Sequence, residues 1–275
     1  MARSTQLVAR RVRQTVGSFS NGVGVLGAIA RHAVTGSPAE IEYRTKDGIA
    51  LVIPNEAGAR VPVYEILVED EYRLDWLTVG LGADAVVLDI GAHVGCFSVA
   101  AAHRLPGARV DSYEASPTTS GYLTRNIALN GVTDRVHGNN LAVRAEAGTL
   151  EIADYGAASG HNGVLHLDEA DVPRVTVPAV SMQEALTVSG RSADVVKIDT
   201  EGGEYDMVLG SDPADWAGVK RVVLEYHNLP GHSWDELEEF FGRAGLKVAE
   251  RKPYSDGLGL AWLTREDESG PAPRD

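Results

Sequence analysis

From residue 85 onward, short apolar runs alternate with stretches whose apolar positions recur every three or four residues. Ala85-Val86-Val87-Leu88-Asp89 reads as a strand, and Phe97 to Arg104 as a helix. A second strand covers Ala108 to Tyr113, followed by a helix over 117–130 that ends near Asn130-Gly131. Val136 opens a third strand. Val195-Val196-Lys197-Ile198-Asp199 is a fourth, with a helix at about 203–210. Val219 to Tyr226 is a fifth, with a helix at about 233–244. Leu246 to Glu250 and Leu260 to Thr264 close the series as an antiparallel pair. Apolar strands alternating with helices predict an α/β fold, a mostly parallel sheet with helices on both faces.

The first part of the chain is patterned differently. Residues 4–16 form a short basic helix. Ile41, Tyr43 and Thr45 alternate with polar neighbours, Lys46-Asp47-Gly48 turns the chain, and Ile49 to Ile53 runs apolar, which predicts a hairpin. Ile66, Leu67, Leu74 and Leu77 line one side of a helix expected over about 64–80. Residues 140–192 are broken by Gly148, Gly156, Gly160 and Gly163 and read as an insertion supplying a lid or substrate loop. The resulting division is a basic helical arm and hairpin over 1–60, a catalytic domain over 61–268, and a disordered tail over 269–275.

Charge narrows the partners. Lys and Arg total 25 against 39 Asp and Glu, a net charge of −14. Residues 1–36 hold Arg3, Arg10, Arg11, Arg13 and Arg31 and no acid, which leaves −19 for the remainder. So acidic a body is a poor grip for a phosphate backbone, and no nucleic-acid partner is expected. No run approaches the roughly 20 apolar residues of a membrane span. The lone Cys96 excludes an intramolecular disulfide and a cysteine-based zinc site, and fits a reducing cytoplasm. Whether the chain forms a homodimer stays open.

The chemistry gathers where strands end. The first strand runs into Asp89-Ile90-Gly91-Ala92-His93-Val94-Gly95. Ligands of open parallel sheets sit beyond such carboxyl ends. Gly91 and Gly95 allow a tight turn and close backbone approach. A dinucleotide site needs Gly-x-Gly-x-x-Gly. Counting from Gly91, His93 and Cys96 stand where the second and third glycines belong. S-adenosylmethionine has no phosphate and carries a positive sulfonium, so Asp89 and the looser glycine spacing suit it better. Glu114 closes the second strand, placed to accept both ribose hydroxyls. Asn139 and Asn140 follow the third strand, placed to read an adenine edge. Tyr72 precedes the first sheet strand and either closes over the methionine end of the donor or is a packed helix residue.

Asp199, Glu201 and Glu204 follow the fourth strand, and Glu225 and His227 share one side of the fifth. Methyl transfer to oxygen needs an aligned acceptor and a base. His227 has the ordinary pKa for that base, with Asp199 as the alternative or as an orienting group. Glu201, Glu225 and the loop residue His161 are candidates for touching the acceptor. Asp199, Glu201, Glu225 and His227 also form a ligand set acceptable to Mg²⁺ or Mn²⁺. Lys197, in an apolar strand, needs a buried partner, and Glu225 or Asp199 can supply it.

Four segments carry a resemblance to a known family: Val87 to Gly95, Tyr113-Glu114-Ala115-Ser116-Pro117, Asn126-Ile127-Ala128-Leu129-Asn130, and Lys197-Ile198-Asp199-Thr200-Glu201-Gly202-Gly203-Glu204-Tyr205. The chain resembles the FkbM-type methyltransferases over about residues 64–228. His93 stands where that family often has Asn. The resemblance implies a Rossmann-like class I methyltransferase fold, S-adenosylmethionine as donor, and O-methylation of a hydroxyl on a natural product or sugar. N-methylation, a nicotinamide-dependent oxidoreductase and a non-catalytic binding module are the competing readings.

Overall fold

The protein is described here as a computed structural model that covers residues 2–167, 169, 171–188 and 190–265; the tail expected over 269–275 lies outside them. The chain begins with helices α1 (Ala2–Ser18) and α2 (Gly22–Thr35) and a hairpin of β1 (Glu40–Arg44) and β2 (Ala50–Pro54). Then come α3 (Ala57–Leu67), α4 (Leu74–Thr78), β3 (Val86–Ile90), α5 (Cys96–Arg104), β4 (Arg109–Tyr113), α6 (Pro117–Leu129) and β5 (Val136–Asn139). The insertion supplies β6 (Ala142–Arg144), β7 (Gly148–Ala153), β8 (Arg174–Ser181) and α7 (Met182–Leu186), with a two-residue ribbon of β9 (Thr187–Val188) and β10 (Arg191–Ser192). The chain continues through β11 (Val195–Ile198), α8 (Glu204–Leu209), β12 (Arg221–Tyr226), α9 (Trp234–Arg243), β13 (Lys247–Ser255) and β14 (Leu258–Thr264).

Seven strands form one sheet in the order β13-β14-β12-β11-β3-β4-β5. The five from β12 to β5 are parallel, and β14 runs antiparallel between β12 and β13. The chain winds outward in both directions from β3, so the crevice beyond its carboxyl end is the topological switch point. β3 and β11 are buried at every position, as strands covered on both faces must be. Alternate side chains feed two cores. Val86, Leu88, Ile90, Val196 and Ile198 pack with Trp216, Leu237 and Phe241. Val87, Val110, Val195 and Val223 pack with Phe97, Leu123 and Trp262.

A third core joins the first sixty residues to the sheet layer. Phe19, Tyr43, Leu51, Ile53 and Tyr64 pack on Val94, Cys96 and Val99. Asn126 of α6 and Asn130, which caps that helix, stand in for a neighbouring strand along β2. Asn126 accepts the Val52 N–H at 2.8 Å and donates to the Val52 carbonyl at 3.0 Å; Asn130 does the same for Ala50 at 3.0 and 2.6 Å. The Asn-Ile-Ala-Leu-Asn segment is therefore a docking device for the hairpin.

Two expectations need correction. The helix over 64–80 is broken into α3 and α4, because Asp70 and Arg73 adopt φ of 47° and 55°, a region that ends a right-handed helix. The break carries Tyr72 inward. The insertion is also more ordered than its glycines suggest. β6, β8 and β7 form a three-stranded sheet with Ala142, Ile152, Val177 and Ala179 in its own core, and in the β7–β8 connection Ser159 to Val164 line the cavity described below. No helix among the described residues is long and apolar enough to cross a membrane.

Candidate active site

A cavity of about 340 Å³ opens at the carboxyl ends of β3, β4 and β11. Its floor is the turn after β3. The N–H groups of Gly91 and Ala92 both donate to the Tyr113 carbonyl at 2.9 Å, locking that turn against β4. Gly91 has φ 76°, and a Cβ there would lie 1.6 Å from the Asp199 carbonyl oxygen, so no side chain is tolerated. His93 (φ 51°) donates its backbone N–H to Glu114 Oε2 at 2.8 Å, and the Ser116 N–H donates to Oε1 at 2.9 Å. Burial pushes the Glu114 carboxyl up to about 7 despite these two donors. The His93 ring faces the Ser159 carbonyl through Nε2 at 3.1 Å, so Nε2 carries the proton. Burial holds this imidazole neutral, down to about 4. Its Nδ1 is a buried acceptor with no partner among the described residues. Beside Glu114 the wall turns apolar, with Ala115, Leu141, Val143, Leu150 and Ile152.

The opposite end is acidic. Tyr72 donates its hydroxyl to Asp199 Oδ2 at 2.8 Å. Glu65, Glu201 and Glu225 also line the cavity. Burial, then the Asp199 charge, pushes the Glu225 carboxyl up to about 8. Burial and Glu71 push Glu65 up to about 7. A second cavity of about 330 Å³, walled by Glu71 and Tyr254, shares Glu65, Tyr72 and Glu225 with the first. Behind this end, Glu204 straps two loops together. Its Oε2 accepts from the Thr200 hydroxyl and the Gly202 N–H, while Oε1 accepts the His227 N–H at 2.7 Å and lies 3.2 Å from His227 Nδ1. Asp199, Glu201 and His227 bring one ligand atom each within 4.8 Å of one another.

Of the residues expected from sequence, Tyr72, Gly91, His93, Glu114, His161, Asp199, Glu201 and Glu225 line one cavity. Five others are placed differently. Asp89 is wholly buried outside the cavity wall, in an ion pair with Lys197 at 3.2 Å, and accepts the Ser98 hydroxyl at 2.5 Å. It, with Asp199 at 4.0 Å, is the partner that Lys197 needs; Lys197 in turn donates to the Gly91 carbonyl at 2.7 Å. Gly95 (φ 91°) starts α5 and packs on Leu123, away from the cavity. Asn139 and Asn140 do not reach it either. Their amides donate to the carbonyls of Ser112 and His137, and of Glu114 and Ala115, which shapes the strand ends. His227 does not carry the neutral ring expected of a base. Burial works against its charge, but the Glu204 hydrogen bond and the charges of Glu204, Asp199 and Glu201 push it up to about 10. It stands as an imidazolium behind Glu201, at 3.6 Å.

Sequence reasoning missed the apolar slot, although Leu141-Ala142-Val143 directly follows the third strand. It also missed Glu65, half-buried on the inner side of α3.

An apolar slot beside Glu114 on one side and a carboxylate cluster on the other thus meet beyond the carboxyl ends of the parallel strands. Residues 89–248, more than half of the chain, match the family described as Methyltransferase FkbM domain. The chain belongs to the FkbM methyltransferase family. It is an S-adenosylmethionine-dependent methyltransferase. Among its relatives is the 31-O-demethyl-FK506 methyltransferase FkbM of Streptomyces tacrolimicus, 26% identical over 214 residues covering 67% of this chain and 82% of that protein. The AMB antimetabolite synthetase AmbE of Pseudomonas aeruginosa is 30% identical over 227 residues, 68% of this chain. The match spans only 10% of that synthetase's length. Methyltransferase sdnD of Sordaria araneosa is 24% identical over 226 residues, covering 70% of this chain and 83% of that protein.

Proposed function

We propose that this FkbM-family methyltransferase transfers a methyl group to a hydroxyl of a small molecule, a natural product or a sugar moiety, with residues 61–268 as its catalytic domain. The observation that carries the reading is one cavity with two unlike ends: a buried Glu114 beside an apolar slot, and the carboxylates Asp199 and Glu225 opposite. The relative named for 31-O-demethyl-FK506 supports an oxygen acceptor.

The residues fit the donor. Glu114 accepts the ribose hydroxyls, the buried Nδ1 of His93 accepts a further donor hydrogen, and the apolar slot takes the adenine ring. S-adenosylmethionine supplies a methyl group already activated on a sulfonium, so the chain's task is alignment and proton removal. Asp199, held by the Tyr72 hydroxyl, orients the acceptor. Glu225, a stronger base than an ordinary carboxylate, takes the acceptor proton. The acidic end also favours the cationic sulfonium over the neutral product thioether.

The pH dependence follows from that assignment. Glu225 acts as a base only when ionised, so kcat/KM is expected to rise with pH and level off above about 8. Glu225→Gln is expected to lower kcat by roughly 10²–10⁴-fold and to weaken donor binding far less, because Asp199 and Glu201 remain beside the sulfonium. Parallel wild-type and variant pH profiles check this; a variant that keeps full kcat removes Glu225 from the role.

A specific observation favours a second reading, in which the acceptor end also holds a divalent ion. The grouped atoms of Asp199, Glu201 and His227 suit Mg²⁺ or Mn²⁺ provided that the ion displaces the ring proton of His227, since only a neutral imidazole ligates a metal. One experiment addresses both readings. The chain is incubated with donor and a panel of hydroxylated and amine-bearing acceptors, with and without EDTA, and products are scored by mass spectrometry for one added methyl. Methylated hydroxyls support the first reading, and methylated amines alone contradict it. Activity undiminished by EDTA contradicts the second.

A further inference from the structure

The helical hairpin of α1 and α2 has an inner and an outer side. The inner side is tied to the body. The hydroxyls of Thr15 and Tyr64 meet at 2.8 Å, Arg11 and Gln14 donate to Glu69 at 2.7 and 2.8 Å, and Phe19 and Val25 are buried in the third core. The outer side is apolar and bare. Val8, Val12 and Val16 follow one another at single-turn spacing and are 61%, 40% and 46% exposed. Leu7, Val23 and Val34 are exposed as well, so six of the eleven exposed large apolar residues fall between residues 7 and 34. The other five are scattered from Val61 to Tyr254. Exposed Arg10, Arg13 and Arg31 flank these positions, and the first acidic residue of the chain is Glu40. Glu69, beside α1, is paired with Arg10 and Arg11 at 2.8 and 2.7 Å.

We infer that this hairpin docks the protein on a bilayer surface containing anionic lipid, lying flat with its valines in the headgroup boundary. Charge complementarity selects the occupant: two helices with no acid of their own and with exposed arginines are attracted to anionic headgroups, the neighbouring Glu69 being paired with Arg10 and Arg11 and Glu56 lying 3.1 Å from His32, while the strongly acidic remainder of the chain keeps the other faces away. The apolar side chains argue in the same direction. They are small aliphatics spread along two helices, with no aromatic among the exposed ones of this face, whereas protein partners are usually held by clustered Trp, Tyr or Arg anchors in a pocket. A lipid surface takes spread-out aliphatic groups without requiring a matching shape. The inference is independent of the methyl acceptor.

Vesicle flotation of the full chain tests it. The protein is expected to float with vesicles of phosphatidylcholine mixed with phosphatidylglycerol, to remain below with phosphatidylcholine alone, and to be released by high salt. Arg13→Glu is expected to weaken binding by at least about fivefold, the worth of one arginine at such a surface. Val12→Asp with Val16→Asp is expected to abolish it. All three positions are exposed, so the melting temperature should not move. Failure to float with the mixed vesicles, or flotation untouched by the double substitution, overturns the inference. So does a dimer in light scattering that the double substitution dissociates, since the face is then an interface between copies.

Discussion

Glu114→Ala is expected to weaken S-adenosylmethionine binding by roughly 10²–10⁴-fold, read by isothermal titration. The carboxylate offers the ribose two charge-assisted hydrogen bonds, each worth about 1.5–3 kcal/mol. Losing both exceeds two decades at about 1.4 kcal/mol per decade. The same substitution strands the N–H groups of His93 and Ser116, so the turn after β3 loosens too. Glu114→Gln separates the effects, because its carbonyl still accepts one of those N–H groups. The pH dependence has a definite sign. Ribose hydroxyls donate to the ionised carboxylate, so affinity is expected to fall as pH drops through about 7, and Glu114→Gln to flatten that profile. Stability runs the other way. A carboxyl raised on folding costs stability as pH climbs from the ordinary carboxylate range toward 7, and bound donor offsets that cost by favouring the ionised form. Unchanged affinity in the alanine variant would remove Glu114 from the donor site.

Lys197→Met is expected to destabilise the fold by about 3–5 kcal/mol, the cost of an uncompensated buried charge. Its partner Asp89 has 0% exposure, and Lys197 itself 3%. Burial disfavours the ammonium, but Asp89 and Asp199 together raise its pKa above the ordinary lysine value. For a chain of this size such a loss lowers the melting temperature by roughly 6–20 °C. Asp89→Asn added to Lys197→Met is expected to recover part of it, because removing both charges leaves no orphan. Donor binding should weaken in both variants, since Lys197 also holds the Gly91 carbonyl that shapes the turn. A single variant that melts with the wild type would show the pair to be expendable.

The sheet was legible because its central strands are buried on both faces, which leaves unbroken apolar runs such as Val86-Val87-Leu88 and Val195-Val196. The turn motif and Glu114 were legible because strand ends place them. What the chain order hides is contact across it. Lys197 and Asp89 are 108 residues apart, yet the register of β11 against β3 sets them side by side. His227 has an ordinary histidine's pKa until Glu204 is known to reach its N–H and ring. Asn139 was expected to read an adenine edge, but its amide closes a strand end, while Asn126, within the expected helix over 117–130, docks the hairpin; only the fold shows which backbone groups each amide meets. The β8 strand was missed although Val175, Val177 and Ala179 alternate, because the glycines ahead of it suggested a loop.

In the proposed function the crevice between the β3 turn and Glu114 holds the adenosyl half of the donor. A crystal structure grown with S-adenosylhomocysteine examines it directly. Both ribose hydroxyls are expected within hydrogen-bond distance of the Glu114 carboxylate, and the adenine against Leu141 and Ile152. A nucleoside bound elsewhere, or that crevice filled by the chain's own side chains at saturating ligand, would contradict it.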